Sequence, residues 1–111
     1  MSSNMTDKEL DEALALEVME WLFWDGFYYG KDGGTEQPYI LWTPTTDLNQ
    51  AFEVLEKYID RKRNAVIHYN IDINYASIYE YGARDAIGES KGKNLARAIC
   101  EAVLTAKRGK E

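Results

Sequence analysis

The sequence contains one histidine and one cysteine, the two residue types that most often carry metal or thiolate chemistry. His68 could use Asp72 and Glu80 as co-ligands, but the spacing of the three residues follows no pattern typical of a metal site. Cys100 lies within an alanine-rich helical pattern, with no neighbouring base that would activate a thiolate. We therefore predict an exposed histidine, a buried unreactive thiol, no metal site and no cofactor.

A glycine- and lysine-rich segment, Gly88-Glu89-Ser90-Lys91-Gly92-Lys93-Asn94, precedes the last predicted helix. A nucleotide-hydrolysing P-loop needs four residues between its glycines and a Ser or Thr after its lysine. This segment has three residues between its glycines, and Asn94 follows the lysine. The free N–H groups of a helix N-terminus can still attract an anion. An alternative anion- or nucleotide-binding site is therefore predicted at Lys91, Gly92 and Lys93.

The charge is distributed unevenly along the chain. The net charge is −6, with −10 in residues 1–60 and +4 in residues 61–111. Most charge runs are solvated helix faces, but carboxylates on a rigid helix can also meet a basic partner. An exposed helix offers no pocket that would separate two carboxyl pKa values, so acid–base catalysis is not expected. The predicted partner-binding acidic face consists of Glu9, Glu12, Glu20 and Asp25.

Length and composition describe one globular domain over residues 1–111. The amino-terminal segment has neither a basic leader nor an apolar signal run, and no window approaches the ~20 apolar residues that cross a bilayer. A cytoplasmic location without membrane interaction is therefore expected. Net negative charge disfavours general binding to nucleic acid. A base-stacking platform is the weaker alternative, and its candidates are Tyr69, Tyr75, Tyr79 and Tyr81.

Two helices are indicated in the first half of the chain. Thr6 and Glu9 form a capping-box pattern, and apolar residues at helical spacing predict a first helix over about residues 7–20. A second helix is predicted over about residues 47–60, capped by Thr46. Its predicted core stripe consists of Leu48, Phe52, Leu55 and Ile59.

Two β-hairpins are predicted between the helices. The first has strands at residues 21–29 and 39–42, separated by a glycine-rich loop. The second lies in residues 65–81, with a bend at residues 70–74. Because the second hairpin leaves an edge strand that could pair with another copy, a homodimer is predicted.

The loop at residues 82–93 leads to a third helix over about residues 93–107. Cys100 and Leu104 fall outside its main apolar stripe, so contacts on two sides are expected. The element order is therefore α-β-β-α-β-β-α. The predicted class is α+β, with an antiparallel sheet packed between helices.

Three short segments carry a family resemblance. They are Val18-Met19-Glu20-Trp21, Trp42 to Asp47 with Ala51-Phe52-Glu53-Val54-Leu55-Glu56, and Ala96-Arg97-Ala98-Ile99-Cys100. The first is similar to V-M-x-W, the second to W-x-P-x-x-D followed by A-W-E-V-V-E, and the third to A-x-A-I-C. With the order of elements, they resemble the phage ABA sandwich domain family, small phage and prophage proteins with a sheet between helical layers. The resemblance implies the fold and a phage or prophage origin in a host cell, and it carries no catalytic residues.

Two hypotheses about function remain. The first is a non-enzymatic phage accessory protein that acts on a host or phage protein through the acidic face. The second is a small-ligand or anion binder that uses the segment before the third helix. An enzyme is not predicted, because no group of residues combines a nucleophile or base with its partners.

Overall fold

A computed structural model describes residues 5–30, 36–59, 63–68, 73–80, 82 and 84–109 of the chain. These residues form three α-helices and six strands, together with a π-helical segment and a 3₁₀ turn. Their bounds are α1 Asp7–Ala13, the π-helical segment Leu14–Val18, β1 Leu22–Trp24, β2 Phe27–Tyr29, β3 Glu36–Pro38, the 3₁₀ turn Tyr39–Leu41, α2 Leu48–Tyr58, β4 Arg63–His68, β5 Asn74–Glu80, β6 Gly88–Gly92 and α3 Leu95–Gly109.

The strands form two antiparallel sheets of three strands each, in the orders β1-β2-β3 and β4-β5-β6. The α+β class and the antiparallel pairing are as predicted from the sequence. Each β region contains one strand more than the predicted hairpin. α3 lies at the centre of the fold, because it contacts β5 and β6 as well as α1, the π-helical segment and α2.

The amino-terminal helix begins at the predicted cap. The Glu9 backbone N–H donates to the Thr6 hydroxyl at 3.1 Å, and the Thr6 N–H donates to the Glu9 carboxylate at 2.9 Å. The helix widens after Ala13, and the Met19 N–H reaches back five residues to the Leu14 carbonyl at 2.9 Å. The predicted single helix over residues 7–20 is therefore a short α-helix followed by a π-helical segment.

The first hairpin differs from the prediction because its turn comes earlier. Asp25 and Gly26 both have positive φ, 53° and 83°, which fits the two-residue Asp-Gly turn that twists correctly for a hairpin. Residues 21–29 therefore contain two short strands instead of one. The predicted second strand at residues 39–42 is mainly the 3₁₀ turn, and Pro38 ends β3. The loop residues 31–35 lie outside the described part of the chain.

The second helix begins one residue later than predicted. Asp47, not Thr46, is its N-cap, and the Asp47 carboxylate accepts from the backbone N–H groups of Asn49 and Gln50. The predicted stripe is rotated as well, since Leu48 is 41% exposed and Phe52 37%. The buried side consists of Ala51, Val54, Leu55 and Tyr58.

This orientation of α2 predicts different costs for two neighbouring truncations. Leu55 is 8% exposed, so Leu55→Ala should lower the free energy of unfolding by about 2–5 kcal/mol. Phe52 is 37% exposed, so Phe52→Ala removes less buried surface and should cost less than Leu55→Ala. Urea melts of both variants check this orientation, and equal losses would show that the helix is rotated differently.

The second sheet includes a strand where a loop was predicted. β6 pairs with β5 from Asn74↔Gly92 to Ile78↔Gly88, although its sequence is rich in polar residues and glycine. Pairing and packing against α3 therefore outweigh weak strand propensity at this position. The predicted bend falls largely on residues 69–72, which lie outside the described part.

The family-like segments contribute several residues to the core. Trp21 and Trp42 meet edge to face, with ring centres 4.6 Å apart. The Trp42 indole N–H donates to the Asp11 backbone carbonyl at 2.9 Å. In α3, eight of the fifteen residues are buried, including Cys100 and Leu104. The expected contacts on two sides of this helix are confirmed.

The prediction of a homodimer depends on the exposed edge of the second sheet. β4 pairs only with β5 among the described residues, so its outer edge is a candidate for pairing with another copy. Light scattering at micromolar concentration should therefore give about twice the 12.8 kDa monomer mass. Val66→Lys, at a side chain that is 42% exposed, adds a charge to this edge and should favour the monomer. A parent protein that already has the monomer mass would contradict this prediction.

Candidate interaction surface

The outer face of the first sheet exposes a row of large apolar side chains. Leu22 pairs with Tyr29 and Trp24 with Phe27, and paired residues point to the same side of a sheet. Leu22 is 63% exposed, Trp24 72% and Tyr29 36%. Phe27 is partly buried, and its ring centre lies 6.3 Å from that of Tyr29. We call Leu22, Trp24, Phe27 and Tyr29 the aromatic face.

The opposite side of the same sheet is anchored in the protein core. Tyr28 is 1% exposed and Phe23 is 50% exposed, and their ring centres lie 5.2 Å apart. Both rings also contact Tyr39, at 5.7 and 5.1 Å. The sheet is therefore held by packing on one side, which leaves the aromatic face directed outward. The sequence signal for this sheet is the Asp-Gly pair between aromatic residues, because such a pair is typical of a β-hairpin.

Acidic residues border the aromatic face. Glu20 precedes β1 with a positive φ of 60°, and Asp25 lies in the turn between β1 and β2. Glu36 pairs with Tyr29 across β3 and β2, which places it on the same side of the sheet. We call Glu20, Asp25 and Glu36 the acidic rim. Two of the four predicted acidic-face residues, Glu20 and Asp25, therefore lie beside an apolar surface.

The other two predicted acidic-face residues have structural partners within the chain. The Glu9 carboxylate belongs to the capping box of α1. The Glu12 carboxylate accepts a hydrogen bond from the Tyr39 hydroxyl at 2.5 Å. That hydrogen bond raises the pKa of the Tyr39 hydroxyl. Charge reversal at Glu9 or Glu12 would therefore change the fold locally as well as the surface charge.

Basic residues of α3 neutralise part of the acidic first half. The Arg97 guanidinium contacts the carboxylates of Asp7 and Glu101. The Arg108 guanidinium binds Glu17 through two hydrogen bonds of 3.0 and 2.7 Å. The charge imbalance of the sequence is therefore smaller on the folded surface around α1.

A small cleft lies between α1 and the segment after β3. Its volume is about 40 Å³, and its walls include Lys8, Asp11, Glu12, Tyr28, Tyr39 and Trp42. The Lys8 ammonium group lies 4.0 Å from the centre of the Tyr39 ring. The cleft therefore combines aromatic rings, two carboxylates and one cation of the protein itself.

Asp11 is a buried carboxylate in this region, with a residue exposure of 7%. Its Oδ1 accepts from the Thr45 backbone N–H at 3.0 Å, which joins α1 to the entry of α2. Burial raises the pKa of the Asp11 carboxyl, and the hydrogen bond to Thr45 opposes that shift only in part. The Asp11 carboxylate thus holds α1 against the entry of α2, although its burial disfavours the charged form.

This raised pKa predicts an unusual pH dependence for variants of Asp11. The folded protein holds the proton more tightly than the unfolded chain, so the Asp11 contribution to stability falls as pH rises from about 4 toward 7. Asp11→Asn keeps an oxygen acceptor and removes that loss, so it should be at least as stable as the parent at about pH 7. Asp11→Ala leaves the Thr45 N–H unpaired and should cost about 1–3 kcal/mol.

Urea melts of the two Asp11 variants at about pH 7 and pH 4 measure this difference. The advantage of the asparagine variant over the parent should shrink at the lower pH. A loss above about 1 kcal/mol for Asp11→Asn at neutral pH would contradict the desolvation account.

The predicted anion segment lines an open cavity at the start of α3. Lys91, Gly92 and Lys93 share this cavity of about 410 Å³ with Asn94, Arg97 and Glu101. Both lysines are exposed. Asn94 caps the helix by accepting from the Arg97 backbone N–H at 3.3 Å, and Glu101 adds a negative charge. The structure therefore brings the three predicted residues together, in a surrounding of mixed charge.

The histidine and the cysteine lie where the sequence indicated. His68 is exposed on β4, with its ring centre 5.8 Å from that of Tyr75. Cys100 is fully buried, and burial raises the pKa of its thiol. In the described part of the chain, no three His, Cys, Asp or Glu side chains are grouped to hold a metal ion. No helix among the same residues has the length and apolar character to cross a membrane.

The tyrosines of the possible base-stacking platform are only partly described. Tyr75 and Tyr79 lie on the side of the second sheet that also carries the exposed His68. The Tyr75 hydroxyl donates to the Glu89 carboxylate at 2.7 Å, which places a negative charge beside its ring. Tyr69 and Tyr81 lie outside the described residues.

Comparisons with known proteins agree with this architecture. A phage protein from Bacillus cereus ATCC 14579, known from a crystal structure at 2.0 Å, aligns over 96% of this chain and 91% of its own, with a TM-score of 0.67 and 16% identity. At that identity the match shows a shared fold. No curated protein matches the sequence. The family model of the phage ABA sandwich domain matches residues 12–104, and the chain therefore belongs to the phage ABA sandwich domain family.

Proposed function

We propose that this phage-family protein is a non-enzymatic binding protein that docks a host or phage protein on the aromatic face. The observation that carries the proposal is the exposure of Leu22 and Trp24, at 63% and 72%, on one side of an anchored sheet. Contiguous apolar surface of this kind on a soluble domain marks interaction sites more often than chance. Tryptophan and tyrosine are also the residues enriched among binding hot spots.

The acidic rim favours a partner with basic residues around an apolar centre. Asp25 and Glu36 of the acidic rim are exposed beside the aromatic face, and Glu20 lies two residues before its first strand. Charges at the edge of an interface mostly raise the association rate and make it depend on salt. The proposed mode is thus apolar contact at the centre with electrostatic attraction at the edge.

Site-specific photo-crosslinking tests this proposal directly. A photoreactive amino acid at Leu22, on the aromatic face, should give a discrete adduct in host extract or in phage-infected cells. The same group at Glu53, an exposed residue of α2, is the matched control and should give none. The adduct should disappear when Trp24→Ser is added, because the centre of the contact is lost.

Two results would contradict the proposal. One is the absence of any adduct from Leu22 in both uninfected and infected cells. The other is the same adducts from Leu22 and from Glu53, which would indicate random collision. An adduct from Leu22 that weakens as salt rises would support the electrostatic part.

The alternative function is anion binding by Lys91, Gly92 and Lys93. One observation favours it, since the three residues line one open cavity beside the start of α3. Inorganic phosphate or ATP at about 100 times its dissociation constant should then stabilise the fold by about 2.7 kcal/mol. A thermal-shift measurement with Lys91→Gln and Lys93→Gln as controls checks this alternative. If phosphate and ATP leave the melting temperature of the parent unchanged, the anion-binding alternative is contradicted.

A further inference from the structure

The small cleft beside α1 has the chemistry of a cation site. It combines the faces of aromatic residues with the carboxylates of Asp11 and Glu12. Aromatic rings attract ammonium groups through their negative faces, and carboxylates add Coulomb attraction. The Lys8 ammonium group already lies 4.0 Å from the Tyr39 ring centre. The chain therefore itself places a cation against the wall of this cleft.

The size of the cleft restricts what can enter. A volume of about 40 Å³ exceeds the roughly 10–15 Å³ that one water molecule needs, so an ammonium group fits. Lys8 lies in the exposed first turn of α1, and its flexible side chain can turn into solvent. The cation that the cleft now contacts can therefore be displaced by another.

We propose that this cleft receives the ammonium group of a lysine side chain from the partner protein, in exchange for Lys8. The inference rests on the proposed function and names the chemistry of one anchoring residue of the partner. Tyr39 supplies the ring face, and Glu12, held by the Tyr39 hydroxyl at 2.5 Å, supplies the negative charge. Tyr39 also packs against Phe23 on the inner side of the first sheet. The cleft therefore lies on the side of the first sheet opposite the aromatic face, so a partner that contacts both must extend past an edge of this sheet.

Nuclear magnetic resonance with a small probe tests the site without the partner. The probe is the peptide acetyl-Gly-Lys-Gly-amide, and its neutral control replaces lysine by norleucine. The indole N–H signal of Trp42, which lines the cleft, should shift with the lysine peptide and stay unchanged with the norleucine peptide. The Trp24 indole signal, on the aromatic face, should not move with either.

Two variants should change the binding in opposite directions. Lys8→Met removes the competing cation and should raise the affinity for the lysine peptide by about three- to tenfold. Lys57→Met on α2 should leave this affinity unchanged. Glu12→Gln keeps an oxygen acceptor for the Tyr39 hydroxyl but removes the negative charge. It should therefore lower the affinity for the lysine peptide by a similar factor. Thermal melts of each variant confirm that the fold is retained, and Tyr39→Phe, which keeps the ring, should still bind.

The inference is overturned if the lysine peptide leaves the Trp42 signal unchanged, or if the norleucine peptide shifts it equally. It is also overturned if Lys8→Met weakens the binding. Crosslinking from Leu22 that persists while the peptide fails to bind would show that the partner docks without a lysine anchor. The proposed function would then stand and the cation site would not.

Discussion

Gly88→Ala should lower the free energy of unfolding by more than about 3 kcal/mol, which is a large loss for the addition of one methyl group. A Cβ atom on Gly88 would lie 2.2 Å from the Ala102 carbonyl oxygen, 2.6 Å from the Ala106 backbone nitrogen and 2.8 Å from the Ala106 Cβ. Two of these three atoms belong to the backbone of α3, so no side-chain rotation can relieve the clash. β6 or α3 would have to move.

The control for this prediction lies in the same strand. A Cβ atom on Gly92 would have no heavy atom within 4 Å, so Gly92→Ala should change stability by less than about 0.5 kcal/mol. Urea or thermal melts of the two variants give the comparison. Equal stabilities would contradict the close approach of β6 to α3, and with it the central position of that helix.

Trp24→Ser should abolish most partner binding while it leaves the fold intact. Trp24 is 72% exposed, so the folded protein loses little packing and stability should change by less than about 0.5 kcal/mol. If Trp24 is the centre of the contact, its loss should weaken binding by about 2 kcal/mol or more, roughly thirtyfold. The change in affinity should therefore be much larger than the change in stability.

Leu48→Ser is the matched control for Trp24→Ser. Leu48 is an exposed apolar residue at 41%, but it belongs to α2 and lies outside the aromatic face. Its replacement should leave the affinity for the crosslinked partner unchanged. A similar loss of affinity in both variants would indicate a general effect of surface hydrophobicity and would contradict a local site.

The helices could be predicted from the sequence because their signals are local. The Thr6–Glu9 capping box and the apolar spacing of α3 depend on neighbours within a few residues, and both agree with the structure. The orientation of α2 could not be predicted in the same way. Ala51 and Val54 are fully buried while Phe52 is more than one-third exposed, because the buried side is set by packing against α3, which is distant in sequence.

The strands were harder to predict because pairing determines them. β6 is polar and glycine-rich, and it becomes a strand only through β5 on one side and the close approach of α3 on the other. In the first sheet the Asp25-Gly26 turn lies within an aromatic run whose strand propensity predicts one continuous strand. The pairing of β1 with β2 shows the alternation that places Leu22 and Trp24 on the outer face.

The four residues of the predicted acidic face fall into two groups in the structure, one on α1 and one beside the first sheet. Counting charges along the chain could not show that Arg97 and Arg108 fold back onto Asp7 and Glu17, more than eighty residues away. Glu20 and Asp25 keep their place in the proposal because they border the aromatic face. Glu9 and Glu12 are bound to Thr6 and Tyr39, so charge reversal at these two residues would disturb α1 and the cleft together.

The most direct test of the central claim is cross-saturation transfer in the complex with the crosslinked partner. Irradiation of the partner's protons should reduce the signals of Leu22, Trp24 and Tyr29, because these side chains touch it, and should leave those of Leu48 and Phe52 unchanged. Signal loss centred on α2 or on Lys91 and Lys93, with the aromatic face unaffected, would contradict the account.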